Sequence, residues 1–351
     1  MNCIELLIEK PFFELLPYES HIDAILTGNK LDKNNYYLSM LDMEGISLIS
    51  NGKYSYDFFI GRNIESDRIY REYTPRKDVN SEKAVLEFFI DSLSNGVYSY
   101  LSIDTFFINN YASYKNTHIV HSPLVIGIDL DKKLIKISDF FDFKSYDFKW
   151  VSIKEFMQGY FAIQDIIFEY YIPKTENWIL KIEKIALQKP TGNVTNKYNT
   201  KQIFQDYLEG KETVKSSTDT FSYINYVLTN NKSPAVLDVK EQSNIVTGMR
   251  TYEFLQAYIE NSMKNNQMEM LNKNIALLNK HFLVYQKISK TLNVDSERIY
   301  ENIEKSRRLM LTGIKINKTK QLKNDKLYLE MLNITNELKL SEYKIINEIL
   351  C

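Results

Sequence analysis

Cysteine is nearly absent from this sequence: Cys3 and Cys351, at opposite ends of 351 residues, are the only two. Thiols so placed build neither a disulfide framework nor a Cys-based zinc site within one subunit, which points to a reducing, cytoplasmic setting. The eleven glycines are scattered. Neither G-x-x-x-x-G-K-[ST] nor G-x-G-x-x-G occurs, so no phosphate-cradling loop is expected. The four histidines, His21, His118, His121 and His281, contain no H-E-x-x-H and are too dispersed for a metal site, and no cofactor is implied. No apolar run reaches the roughly 18 residues of a membrane-spanning helix, and "MNCIELLIEKPFF" lacks the pattern of a secretory signal. With 44 basic and 45 acidic residues the net charge is −1, which argues against a general nucleic-acid binder.

Aromatic residues are abundant, with 25 Tyr and 19 Phe, as β-strands and a well-filled core require. "SHIDAIL" (Ser20 to Leu26) reads as a short buried helix, and "NSEKAVLEFFIDSLSNG" as a longer one, capped at Asn80 or Ser81 and ended by Gly96. Strand patterns follow at Val97 to Ile108, His118 to Asp129 and Lys133 to Ser138, then a helix from Ser152 and a strand over Trp178 to Gln188. A core helix followed by an antiparallel sheet is an α+β arrangement. Beyond about residue 190 the chain reads as helical, with Leu271, Ile275, Leu278, Phe282 and Tyr285 on one stripe. The expected organisation is an α+β domain over 1–190 and a helical domain over 191–351.

"HSPLVIGIDLDKKLIKISDFF" (His121 to Phe141) reads as a hairpin with a histidine at one end and Asp139 at the other. Crossing a short hairpin returns the chain to the same edge, so Asp139 can reach His121 and orient it as a general base. Leu124, Ile126 and Ile128 fall on one face, with Val125 and Gly127 on the other. An ordinary hairpin with a solvated histidine fits the same spacing. Asp139 and Asp142, in "DFFDF", are readable as a carboxylate pair or as strand-end residues.

In its surroundings the hairpin resembles that of the butirosin-biosynthesis-protein-H family, papain-like proteins related to bacteriocin-processing cysteine peptidases. The stretches "IEKPFFELLPYESHIDAILTGN", "GVYSYLSIDTFFI", "WVSIKEFMQGY", "GMRTYEFLQAYI" and "NIALLNKHFLVYQKI" are similar to further family segments in the same order. The resemblance implies a papain-like α+β domain with a helical C-terminal domain. It also implies transfer of an acyl group from an acyl or peptidyl carrier protein's thioester to a small amine in natural-product assembly. By this carry-over His121 is the base, Asp139 its partner, and Asp104 a site or support residue. Where the family places a nucleophilic cysteine, this sequence reads Pro17, Tyr18, Glu19, Ser20. Ser20 fits a nucleophile or a helix N-cap, and Cys3 would need a rearranged N-terminus. Tyr18 and Glu19 are candidate substrate contacts. A catalytically degenerate family member acting as a binding or assembly partner is the alternative. Eight Lys or Arg between Lys305 and Lys326 suit either an acidic carrier protein or a solvated face.

Overall fold

The computed structural model describes residues 3–14, 17–41, 43–50, 53–60, 68–142, 144–170, 181–188, 200–210, 212–215, 242–265, 268–319 and 325–351. In chain order, strand β1 (Cys3–Glu5) precedes helices α1 (Pro17–Gly28) and α2 (Asn34–Ser39), strands β2 (Met43–Ser50), β3 (Lys53–Ile60) and β4 (Ile69–Pro75), and helix α3 (Glu82–Ser94). Next come β5 (Val97–Tyr100), β6 (Ile103–Asp104), β7 (Val120–His121), β8 (Leu124–Asp129), β9 (Leu134–Asp139), β10 (Asp147–Ser152), α4 (Ile153–Tyr170) and β11 (Lys181–Leu187). The remaining elements are α5 (Thr200–Glu209), β12 (Glu212–Lys215), β13 (Gln242–Thr247), α6 (Thr251–Asn265), α7 (Met268–Leu292), α8 (Ser296–Thr319) and α9 (Asp325–Leu350). The chain is thus mixed α and β, with antiparallel sheets and a run of C-terminal helices. Among the described residues no helix is long and apolar enough to cross a membrane.

Two compact units interleave along the chain. The described residues of the first lie within Met1–Asp32 and Asp67–Gly192, and those of the second within Lys33–Ser66, Asn193–Thr220 and Val239–Cys351. The described residues between 33 and 60, which the sequence pattern grouped with the first domain, belong to the second unit.

The first unit is built on an antiparallel sheet in the order β10-β9-β8-β5-β11-β4, with β1 also pairing β8. Helix α3 forms as its sequence dictates. The Ser81 hydroxyl accepts the Ala84 N–H at 3.2 Å, and Val85, Phe89 and Leu93 line up into the core at 2 % exposure or less. Burying three such side chains contributes roughly 1.5–3 kcal/mol each. The strand expected over Val97 to Ile108 breaks after Tyr100 and resumes only as the two residues of β6. The strand expected from His118 likewise breaks between β7 and β8. A buried arginine holds the first break: Arg76 donates from Nη1 to the Ser102 carbonyl at 2.8 Å and from Nη2 to the Tyr160 carbonyl at 2.6 Å.

The β8–β9 hairpin carries a β-bulge between Val125 and Gly127, which leaves Ile126 without a partner residue on β9. An inserted residue reverses the side-chain alternation. Val125 and Ile128, expected on opposite faces, accordingly share one core cluster with Ile135 and Ile137.

In the second unit a sheet in the order β12-β13-β2-β3 accompanies α2 and α5 to α9. The stripe Leu271, Ile275, Leu278, Phe282 and Tyr285 on α7 is buried throughout. His281, on the same helix, has its Nε2 at 2.6 Å from Glu342 Oε1 on α9, both residues at 0 % exposure. Tyr252 on α6 donates its hydroxyl to Glu342 Oε2. Burial raises the Glu342 pKa, but the His281 ring and the tyrosine hydroxyl outweigh it, and the carboxyl is held below its usual range.

Candidate functional site

Both central strands of the first unit, β5 and β8, deflect into the β6–β7 ladder, where Ile103 pairs with His121 and Asp104 with Val120. His121 thereby sits at the end of β7, and Asp139 at the end of β9 comes within reach: His121 Nδ1 lies 2.6 Å from Asp139 Oδ2. Tyr111 donates its hydroxyl to the same oxygen at 2.5 Å, while the Phe140 N–H donates to Oδ1 at 2.8 Å. Asp139 is fully buried and the His121 side chain 18 % exposed. An acceptor carboxylate against Nδ1 fixes the proton there and leaves Nε2 as the basic nitrogen of the neutral ring.

Behind this pair stands His21. Its Nε2 lies 3.0 Å from the Ser122 carbonyl and its Nδ1 2.7 Å from the Tyr146 hydroxyl. Since the carbonyl only accepts, Nε2 carries the proton and Nδ1 accepts from Tyr146, whose hydroxyl also lies 2.9 Å from the Ser138 hydroxyl. Burial pushes the His21 pKa down to about 4, against the opposing pull of Asp139, so the ring is neutral at physiological pH. Helix α1 is in this way bonded to the residue that follows His121.

The helix begins at Pro17, three residues earlier than the sequence pattern places it. Proline is well suited to the first helical position, where its missing N–H has no acceptor to lose. Ser20 is consequently inside the helix and is not its cap. It is fully buried, and its hydroxyl donates to the Phe13 carbonyl at 3.3 Å. Cys3 is exposed on β1 and pairs with Asp129, five residues along β8 from Leu124, or roughly 17 Å at ~3.3 Å per residue. Ser20 is thus engaged with Phe13, and Cys3 lies at the far end of β8 from the strand end that leads to His121.

The first turn of α1 instead presents Tyr18 and Glu19. Tyr18 donates to Glu183 Oε1 at 3.2 Å and accepts from Arg71 Nη1 at 2.5 Å. Burial and the Glu183 charge push the Tyr18 hydroxyl pKa well up. Glu19 is 6 % exposed, and burial lifts its carboxyl to about 7 despite its place at a helix N-terminus. The Tyr100 ring joins these groups, edge-on to Tyr18 at 5.4 Å and to His21 at 5.5 Å. Burial raises the Tyr100 pKa, and the charges of Glu19, Asp139 and Glu183 all add to the rise.

Asp104 does not join His121. Its Oδ2 lies 2.6 Å from His118 Nδ1, and the His118 ring stacks on Phe106 at 4.0 Å. Asp104 and His121 fall on alternate faces of the β6–β7 ladder, so the chain carries two His–Asp pairs back to back. Sequence reasoning missed Tyr111, His21, Tyr146, Arg71, Glu183 and the His118 pairing. Only Asp104 and His118, near the ends of adjacent strand patterns, offered a readable signal. Among the described residues no three His, Cys, Asp or Glu side chains converge as a metal centre requires. No known protein family matches the sequence, and no characterised protein matches it significantly.

Proposed function

We propose that the chain is a papain-like acyl-transfer protein, similar to the butirosin-biosynthesis-protein-H family, in which His121 acts as a general base without a protein nucleophile. The observation that carries the reading is the 2.6 Å contact between His121 Nδ1 and Asp139 Oδ2, with the carboxylate fixed by two further donors. His121 Nε2 takes a proton from an amine as the amine nitrogen attacks the carbonyl carbon of a carrier-protein thioester. The C–N bond forms, the C–S bond breaks, and the departing thiolate takes the proton back from the imidazolium. Asp139 offsets the transient charge on the ring.

The placements of Ser20 and Cys3 favour a second reading, a non-catalytic binding or assembly partner that keeps the fold. One experiment separates the two. Wild-type and His121→Ala proteins are incubated with N-acetylcysteamine thioesters and primary amines, and thiol release is followed. Base catalysis predicts a loss of about 10²–10⁴-fold in the variant. Equal rates in the two proteins, or none above background in either, support the partner reading.

A further inference from the structure

The last turn of α3 and the sheet beneath it border a cleft of about 210 Å³ that no step above uses. Its floor follows from the strand register. Ala186 on β11 pairs with Tyr70 on β4 and Val97 on β5, and two residues away Lys184 pairs with Glu72. A methyl group at the centre of the first row leaves the floor open between the larger side chains. Asp91, Ser92 and Asn95 of α3 line the cleft above. Tyr70, Glu72 and Lys184 alternate with Arg71 and Glu183 along their strands, so the cleft opens on the sheet face opposite the Tyr18 cluster.

Three observations point to a ligand. Ser92 is 2 % exposed, and its hydroxyl has no hydrogen-bond partner among the described residues, an arrangement native interiors seldom leave unanswered. Glu72 and Lys184 face each other with opposite charges, yet among the described residues neither enters an ion pair; the Lys184 ammonium lies over the Phe88 ring at 5.3 Å. Asp91 accepts from the Asn95 amide at 3.2 Å beside the C-terminal end of α3, where the helix dipole favours a cation.

We propose that this cleft binds a small zwitterion of amino-acid size, with its ammonium toward Glu72, Asp91 and the end of α3, and its carboxylate toward Lys184. The Ser92 hydroxyl then gains a polar partner, and the ligand's remaining atoms lie over Ala186 against Tyr70 and Val97. Two carboxylates against one lysine leave the site with a net negative charge, so the ammonium is the more strongly selected end.

The test is a titration of the ¹⁵N-labelled full chain with each of the common L-amino acids to about 10 mM, reading the backbone amides of Ser92, Asn95 and Ala186. At least one is expected to give saturable shifts. Glu72→Gln and Lys184→Met, both surface changes, should each weaken that binding by about tenfold, as should the ligand's own N-acetyl or methyl-ester derivative. Ala186→Leu should abolish it at an unchanged melting temperature. Absence of saturable shifts with every amino acid overturns the proposal. So does wild-type affinity in both charge variants, or a methyl ester that binds as tightly as the free acid.

Discussion

Replacing Asp139 by Asn exchanges one acceptor oxygen of a buried carboxylate for a donor, at a place where three donors converge. His121 Nδ1 and the Tyr111 hydroxyl share Oδ2, and the Phe140 N–H takes Oδ1. An amide that keeps its oxygen on Phe140 turns its NH₂ toward His121 and Tyr111; the Tyr111 oxygen can accept by turning its hydroxyl away, but His121 Nδ1 can accept only if the imidazole proton moves to Nε2. The opposite orientation sets NH₂ against the Phe140 N–H. Hydrogen bonds to a charged group contribute roughly 1.5–3 kcal/mol against about 1 for neutral ones, so the exchange should cost roughly 2–3 kcal/mol. Long-range ¹H–¹⁵N spectra of the histidine rings report the protonated nitrogen, and urea unfolding reports the cost. The wild-type His121 ring should carry its proton on Nδ1 and the Asn variant's on Nε2, the tautomer unable to serve as base. A variant that keeps the Nδ1 proton, with stability within about 0.5 kcal/mol of wild type, would refute the reasoning.

Glu19 and His21, two residues apart on α1, should oppose each other in pH dependence. His21 falls from 6.5 to about 4 on folding, so its stabilisation is complete above pH 6.5 and is lost as pH drops toward 4. Glu19 rises from 4.5 to about 7, so its contribution is complete below pH 4.5 and is lost as pH climbs toward 7. Each change amounts to roughly 3 kcal/mol, and the two should cancel in the wild type between about pH 4.5 and 6.5. Glu19→Gln should therefore weaken on acidification and His21→Gln on alkalinisation; parallel slopes in urea titrations of the two variants would contradict this. In the second unit, Glu342→Ala should cost roughly 3–5 kcal/mol, because it strands His281 and Tyr252 in the core. The His281→Leu/Glu342→Met double variant should recover most of that loss, and a single variant within about 1 kcal/mol of wild type would show that the pair is not a structural tie.

Local rules were readable from sequence wherever one segment supplies both the signal and its answer. Helix α3 carries its own cap at Ser81, its apolar stripe and its terminating Gly96, which adopts φ of +72°. The β8–β9 hairpin likewise turns within five residues and brings Asp139 to His121. What was not readable depends on partners far along the chain. Strand β4 is defined by β11, with Ile69 pairing Leu187, and the buried bonds of Arg76 reach Ser102 and Tyr160. The β2–β3 pair does carry a local signal, Asn51-Gly52, a strong hairpin dipeptide standing between the two strands in the sequence. Ser20 misled because a serine before an apolar run is the expected cap, and nothing local to Ser20 shows that Pro17 has already started the helix.

The register of the second sheet has a bearing on how the chain is made. Strand β2 pairs on one side with β3, its immediate successor, but on the other with β13, where Ile49 meets Gln242. At roughly 5–20 residues per second, translation delivers β13 some 10–40 s after β2. Throughout that interval the free edge of the β2–β3 pair can recruit another nascent strand, so assembly of the second sheet is expected to be the slow and aggregation-sensitive stage of biogenesis. Chaperone dependence during synthesis, more than the equilibrium stability of the finished fold, should set how much of this protein a cell accumulates.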